Sequence, residues 1–416
     1  MSDSTPSQAR PTPAGGTDPR SAPASAGQAG GASGLSGMAG SGMAGRSSAG
    51  GSTDSSGSGV AKLGKGAAGR QRFAADELAI VLSHYDLGTI EKIQEYPRGS
   101  RKAPKLILLA DSGLYLLKRR ARGKNDKYKV AFCHGIQLHL AARQFPLPHL
   151  IGTRKDNNSM LRLGGHTYEL FEYIKGTPYD LSLEATQDAG KTLGLLHKLI
   201  RDYVPKYETP VGSYHNSTSV HNAFQVLPQT LAKLNPAQSP AQAQRISQIN
   251  RSLLDAYLSA VQHVEDAGLS GWPKQIVHSD WHPGNMLFRG SRVVAVIDYD
   301  ASRIHQRIID AANGALQFSI IGGGDDTESW PDYIDESRFK RFVRGYDSVP
   351  DNVLSRAELR VIPPLMIQAL IAESVIPIAA TGRFSRMEGV SFLEMVGRKV
   401  AWLQANTDKL IAEAEG

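Results

Sequence analysis

The chain is 416 residues long and 41% hydrophobic, with 47 Lys and Arg against 40 Asp and Glu, a formal net charge of +7 and one cysteine. This length allows two or more domains and a large core, while the lone Cys133 excludes an internal disulfide and fits a reducing compartment, which predicts a cytoplasmic protein. No apolar run approaches a membrane span in length, so no membrane partner is expected.

Residues 1–70 are Gly, Ser, Ala, Pro and Thr with almost no large apolar side chains, as in Ala29-Gly30-Gly31-Ala32-Ser33-Gly34. Such a segment cannot bury enough surface to offset ordering entropy, and a disordered tail is expected. It also lacks the apolar centre of a signal peptide. Globular patterning starts near residue 75. Phe73–Leu82 reads as a short helix and Thr89–Ile93 as a strand, followed by the turn-forming Pro97-Arg98-Gly99-Ser100. Lys105–Ala110 and Leu114–Lys118 are two strands joined by Asp111-Ser112-Gly113, a hairpin signal.

A helix over Lys129–Gln144 comes next and is ended by Pro146. Two more strands, Met160–Leu163 and Tyr168–Ile174, flank Gly164-Gly165. Seven cations, Lys118, Arg119, Arg120, Arg122, Lys124, Lys127 and Lys129, crowd one segment. They read as a solvated loop or as attraction for a polyanion. Only Tyr128 interleaves with them, so no base-stacking platform and no nucleic-acid partner are indicated.

After Gly176 the pattern turns helical. Leu183–Tyr203 carries Leu193, Leu196 and Ile200 at helical spacing. Residues 204–234 read as irregular and Pro-containing, and Asn235–Asp266 as a second long helix. Helical segments return after Asp298, above all over 356–415, and no internal repeat is found.

Between them lies the most informative stretch, His278-Ser279-Asp280-Trp281-His282-Pro283-Gly284-Asn285. An apolar strand follows, and Asp298 ends the next apolar run, Val293–Ile297. The spacing H-x-D-x-x-x-x-N and the step to a second Asp match a phosphoryl-transfer centre. Asp280 can accept a proton from a substrate hydroxyl, while Asn285 and Asp298 can hold the magnesium ions that carry a nucleotide's phosphates. His278, Asp280 and His282 are also zinc-ligand types, but that reading gives no purpose to the spacing to Asn285 and Asp298.

This pattern, with Ile297-Asp298-Tyr299-Asp300, resembles the aminoglycoside phosphotransferase, choline kinase and homoserine kinase superfamily over roughly residues 75–405. Trp281-His282-Pro283-Gly284 and Asp298-Tyr299-Asp300 replace the Leu-Lys-Pro-x and Asp-Phe-Gly of protein kinases, which favours the small-molecule branch. Gly113–Lys118 and Phe145-Pro146-Leu147-Pro148 are also similar to the spore-coat kinase-like branch. The resemblance implies an α+β, bilobal, protein-kinase-like fold. Residues 71–175 would form a small antiparallel-sheet lobe with one helix, and residues 176–416 a larger, mostly helical lobe. It implies ATP and Mg2+ as cofactors and a role for His278 packed and hydrogen-bonded under the metal-binding segment, organising the loop. Asp310 is similar to a family aspartate that pins this loop from a helix start.

Further site residues follow from the same reading. Lys118 shares a strand face with Leu114 and Leu116 by period-two counting and is the candidate for the α- and β-phosphates, unless it points to solvent. The glutamate that usually locks such a lysine is missing from the following helix, which offers Cys133, His134 and Gln137 instead. Ser100 beside Gly99 marks the phosphate-covering loop, which is neither G-x-G-x-x-G nor Walker-like. Glu172, Tyr173 and Ile174 read as the hinge that would bond adenine, or as an ordinary edge strand. His282 supports the loop. Asp300 either supports a metal or starts the next turn.

On the acceptor side, Asp325, Asp326, Trp330 and Tyr333, with further acids nearby, suit a cationic hydroxylated small molecule or form a solvated acidic loop. The leading expectation is a magnesium-dependent kinase of a small hydroxylated molecule such as an amino alcohol or aminosugar. The alternatives are an inactive kinase-like binding protein and a kinase acting on protein. Oligomeric state is not legible.

Overall fold

The computed structural model describes residues 69–235, 237, 239–324 and 326–415. Apart from Gly69 and Arg70, the expected tail lies outside them, as does Asp325.

The first element, α1 (Ala75–Leu82), leads into β1 (Ile90–Glu95), β2 (Lys105–Ala110) and β3 (Gly113–Arg119). With β4 (Leu161–Leu163) and β5 (His166–Glu172) these form one antiparallel sheet in the order β1-β2-β3-β5-β4. Strand alternation sorts its side chains. Leu106, Leu108, Ala110, Leu117, Tyr168 and Leu170 face Val81, Tyr85 and Leu87 in one buried cluster. The opposite face carries Lys105, Ile107, Leu116, Lys118 and Glu169, with Lys105 opposite Lys118, Ile107 opposite Leu116, and Lys118 opposite Glu169.

Between β3 and β5 runs α2 (Lys127–Ala141), where the side chain of Asp126 accepts the N–H groups of Tyr128 and Lys129. It starts and stops earlier than the sequence predicts. Asp126 supplies the N-cap, and Gln144, in the left-handed region at φ +59°, lies in the turn that follows the helix.

The chain enters the helical part through Gly176 and Thr177. Thr177 exchanges backbone hydrogen bonds with Phe288 at 2.8 and 2.9 Å. A Cβ at Gly176 would lie 2.8 Å from Cβ of Leu287, so only glycine lets the link approach this closely. The second part contains α3 (Leu183–Ile200), α4 (Thr218–Leu234), α5 (Pro240–Asp266), α6 (Ile308–Ser319), α7 (Glu336–Asp347), α8 (Arg356–Thr381), α9 (Gly389–Ala405) and α10 (Thr407–Glu415). Inserted among them are β6 (Lys274–Val277), paired with β9 (Arg303–Gln306), and the hairpin β7 (Met286–Arg289) with β8 (Arg292–Val296). The expected α+β class holds.

Three expectations are corrected. Residues 218–234 form α4 rather than irregular chain, with Pro228 inside it. Its Val220, Ala223, Phe224, Leu227 and Leu231 make a buried helical stripe, and that packing outweighs the helix-breaking tendency of proline. Helix α5 begins at Pro240, not Asn235, because Ser239 and Gln242 form a reciprocal capping box. Third, α8 is long and apolar enough to cross a membrane by length and composition, yet 83% of its most apolar window is buried inside the protein. A helix apolar all round belongs in a core, and α4, α5, α6, α9 and α10 all pack against it.

Candidate active site

Strand β6 delivers the loop His278–Asn285, and β7 carries the chain away from it. Two backbone strains shape this loop. Ser279 and Asp298 both sit in the left-handed region, at φ +62° and +65°. Such conformations persist where the surroundings over-determine them. Asp310, in the first turn of α6, supplies that determination for Ser279. Its two carboxylate oxygens accept the N–H groups of His278 (2.5 Å) and Ser279 (2.7 Å), and His197 Nε2 lies 3.2 Å away. Asp310 is fully buried.

Asn285 Nδ2 donates to the Asp280 carboxylate at 2.8 Å and to its carbonyl at 3.0 Å. With both donations made to Asp280, the amide oxygen Oδ1 remains as an acceptor. The Asn285 carbonyl in turn accepts the N–H of Ile297 at 2.9 Å, which brings Asp298 beside it. Asp280 and Asn285 are 8% and 7% exposed, so both are largely buried. His282 Nδ1 accepts the N–H of Gly284 at 3.0 Å, and its Nε2 lies 3.7 Å from Asp280 Oδ2.

The His278 ring is buried and meets Trp281 and Tyr299 edge-on, with centroids 5.5 and 5.0 Å apart. Neither ring nitrogen has a hydrogen-bond partner among the described residues. The hydrogen bond anticipated for this ring is therefore replaced by its backbone N–H on Asp310, and the ring itself fills space. A group packed this way positions the loop and does not touch a substrate. Burial pushes its pKa below the usual histidine value, against the pull of Asp310, Asp280 and Asp298, so the ring is neutral.

The oxygen set suits a hard divalent ion. Asn285 Oδ1 and Asp298 could bind Mg2+, which usually keeps several waters and takes further oxygens from phosphates. Among the described residues no group of three His, Cys, Asp or Glu side chains could hold a metal ion, and two protein ligands are what such a shared ion needs.

On the sheet side, Lys118 Nζ lies 3.4 Å from Glu169 Oε2 on β5. The acid missing from the helix is thus supplied by the neighbouring strand. His134, on α2, donates its place differently: Nε2 is 2.8 Å from Glu169 Oε1 and Nδ1 is 2.8 Å from Ser159 Oγ. Arg120 joins the same group, with Nε 3.0 Å from Glu169 and its terminal nitrogens 2.5 and 3.1 Å from the two oxygens of Asp300. Burial alone would raise the Glu169 pKa, but Lys118, the His134 hydrogen bond and Arg120 outweigh it and hold the carboxyl well below the usual range. Asp300 likewise overcomes burial through Lys118 and Arg120 and stays ionised. Cys133 is pushed up to about 12 by burial, which leaves an inert thiol.

Sequence reasoning missed Glu169, Arg120 and His134. Glu169 had a signal: it is the lone acid between Tyr168 and Leu170 in an apolar strand, hence on the face opposite to theirs. Arg120 gave none, since its partner Asp300 is 180 positions away.

Ser100 sits in the loop after β1, where its hydroxyl accepts the N–H of Lys102 at 3.2 Å. Arg70 clasps the same loop from outside, donating to the carbonyls of Ser100 (3.2 Å) and Gly99 (3.3 Å), while the Gln71 N–H donates to the Arg101 carbonyl at 3.0 Å. Glu172 ends β5, the Tyr173 N–H bonds to the Leu114 carbonyl at 2.9 Å, and Ile174 follows in the link to Gly176. The Tyr173 ring meets Tyr96 edge-on at 6.3 Å. Ile107 and Leu116, half-buried on the cleft face, lie between this link and the Lys105–Lys118 end of the sheet.

Most of the described acids of the acidic segment are held by local caps and ion pairs. Asp326 accepts the N–H of Glu328, Asp332 pairs with Arg398 at 2.7 Å, Asp335 caps α7 and pairs with Arg338, and Glu336 pairs with Lys409 at 2.5 Å. Trp330 is 4% exposed and packs on Phe392, and the Tyr333 carbonyl accepts from buried Lys399. Of the residues expected to hold a substrate or to form a solvated acidic loop, Asp326 caps its own turn and Trp330 is packed on Phe392, while the Tyr333 ring stays exposed. Further buried polar groups lie on α6 and α8. Asn313 and Gln317 continue the α6 face of Asp310, and Asn313 Oδ1, Gln317 Oε1 and, on α8, Gln368 Nε2 are buried without partners among the described residues. Arg303, within electrostatic reach of Asp310 and Asp280, donates to the Ala301 and Gly212 carbonyls.

Residues 93–353 match the phosphotransferase enzyme family. The homoserine kinase of Methylocella silvestris is 23% identical over 224 residues, which cover 54% of this chain and 63% of the relative. That of Afipia carboxidovorans is 26% identical over 228 residues, with the same shares. The chain thus spans less than two thirds of these relatives. In structure it is similar to an aminoglycoside phosphotransferase from Alicyclobacillus acidocaldarius (TM-score 0.57, 16% identity, 80% of this chain and 94% of that one). It is also similar to a microcompartment-associated aminopropanol kinase (TM-score 0.56, 12% identity, 81% and 98%) and to a spectinomycin phosphotransferase in complex with ADP and spectinomycin (TM-score 0.54, 15% identity, 82% and 100%). The fold is that of the protein-kinase-like superfamily.

Proposed function

Because the chain belongs to the phosphotransferase enzyme family, we propose that it transfers the γ-phosphate of ATP, carried by Mg2+, to a hydroxyl of a small polar molecule. The observation that carries this reading is the Asp280–Asn285 pair, hydrogen-bonded at 2.8 Å beside Asp298. In it one carboxylate is placed to take a proton, and two further oxygen ligands are offered by Asn285 and Asp298.

Asp280 orients the acceptor hydroxyl and takes its proton late in transfer. Asn285 Oδ1 and Asp298 hold the metal, which neutralises charge on the phosphates when bound. Lys118, fixed by Glu169, binds the phosphates. The base lies under Ile107 and Leu116, against Glu172, Tyr173 and Ile174. In this reading residues 71–175 are the nucleotide lobe and 176–416 the catalytic lobe, acting in the cytoplasm. Asn313 Oδ1, Gln317 Oε1 and Gln368 Nε2, without partners among the described residues, favour a small acceptor with several polar groups, such as an amino alcohol, a hydroxy amino acid or an aminosugar. Homoserine and aminopropanol, named for the relatives, belong to these classes. The reading as an inactive binding protein drew on the missing helix glutamate, and Glu169 removes that ground.

Phosphate transfer from labelled ATP across homoserine, aminopropanol, ethanolamine, choline, sugars and aminoglycosides tests the proposal. One class should be turned over. Asp280→Asn should lower kcat by about 10²–10⁴-fold with ATP binding retained. ATP binding with no transfer to any hydroxyl compound would instead favour the binding-protein reading.

A further inference from the structure

Loops that cover nucleotide phosphates usually rely on several glycines, whose bare backbone N–H groups approach the oxygens. The loop between β1 and β2 has Gly99 alone. Its geometry shows what stands there instead. Gly99 is in the left-handed region at φ +79°, and a Cβ added to it would lie 2.9 Å from Nζ of Lys105. The loop therefore closes directly over a lysine ammonium group.

Lys105 begins β2 and stands opposite Lys118 on β3. Side chains of directly opposed residues share one face and lie within reach of each other, and like charges so placed are destabilising. Glu169 does not relieve both. It pairs with Lys118 at 3.4 Å and with Arg120 at 3.0 Å, while Lys105 has no ion pair among the described residues. Burial and Lys118 push the Lys105 pKa below its usual value, and Asp298 and Asp300 pull the other way, which puts this ammonium group within electrostatic reach of both acids. Arg120 already engages Asp300. A cation with no ion pair among the described residues thus sits near the covering loop, the phosphate lysine and the candidate metal acid.

We propose that Lys105 and Lys118 form a two-lysine cradle for a polyphosphate chain, Lys105 supplying under Gly99 the charge that a glycine-rich loop would supply through its backbone. This rests on the nucleotide reading above and adds a second cation to it. The like-charge contact is a strain that the bound phosphates relieve, so Lys105 opposes stability of the empty protein and favours the loaded one.

The test measures binding of AMP, ADP, ATP and inorganic tripolyphosphate, each with Mg2+, to the full chain by calorimetry, in wild type, Lys105→Met, Lys105→Arg and Lys118→Met. Lys105→Met should weaken ATP at least tenfold and leave AMP within twofold, and Lys105→Arg should restore most of the loss. Without nucleotide, Lys105→Met should melt at or above the wild-type temperature, while its upward shift on adding ATP shrinks. Equal loss for AMP and ATP, or ATP affinity within twofold of wild type, would overturn the cradle while the nucleotide reading stands. Lys105-dependent binding of tripolyphosphate without binding of AMP or ATP would keep the cradle and sink the nucleotide reading. If wild type binds none of the four, both fall.

Discussion

Glu169 is the residue on which the upper half of the cleft is balanced. Its side chain is 1% exposed, yet three cationic or donor groups, Lys118, Arg120 and His134, converge on it. Removing one partner of such a group leaves the others buried without compensation, which costs about 3–5 kcal/mol where a pair is broken. Glu169→Gln keeps the shape and removes the charge. It should lower the melting temperature and weaken ATP binding together, because Lys118 loses its anchor. Unchanged ATP affinity would show that Lys118 is held by something else. The catalytic loop is the opposite case for legibility. Asp280 and Asn285 lie five positions apart, so their contact is nearly local and the sequence displays it. Lys118 and Glu169 meet only after β3 and β5 are placed side by side, and a one-residue change in register would put Glu169 among Tyr168 and Leu170's apolar neighbours.

At the scale of elements, α3 and α7 approach so closely that side chains are excluded. A Cβ at Gly190 would fall 2.0 Å from the Phe342 carbonyl oxygen, and one at Gly345 would fall 2.0 Å from that of Gln187. Backbone cannot move aside as a flexible side chain can, so Gly345→Ala should separate the two helices. The expected loss is about 1–3 kcal/mol, read as a lower urea midpoint. His197 on α3 lies 3.2 Å from Asp310, which holds the catalytic loop, so the same variant should also reduce kcat. A variant as stable as wild type would show that the helices can separate freely. Local chemistry made most elements readable: the Ser-x-x-Gln box at Ser239 marks the start of α5, although its signal was passed over for the earlier Asn235. Helix α4 stayed hidden because Pro228 speaks against a helix locally, whereas the stripe from Val220 to Leu231 acts only once α8 lies against it.

For the molecule as a whole, acid is the expected weakness. His278 is neutral and buried, with its pKa lowered below 6.5, and His305 is lowered to about 4 by burial, with nearby His215, Lys274 and Arg303 adding to it. Below the unfolded value of about 6.5 the unfolded chain binds protons that the folded one refuses, so stability rises with pH through this window and falls as pH drops from about 6.5 toward 4. Melting temperatures should already decline between about pH 6.5 and 5, above the usual carboxylate range. A flat profile would mean that neither ring stays neutral in the fold. Contacts between segments far apart in the chain were the least legible level. Arg120 reaches Asp300 across 180 positions and Thr177 meets Phe288 across 111, contacts that no local pattern announces.

The clasp made by Arg70 and Gln71 bears on where this protein can be trimmed. The ordered α1 suggests that anything before Ala75 is dispensable. Yet Arg70 and Gln71 grip the carbonyls of Gly99, Ser100 and Arg101, and the Arg72 carbonyl receives Arg119. A version starting at Phe73 would keep every helix and strand but lose this hold on the loop between β1 and β2, so a fragment that retains it starts no later than Arg70.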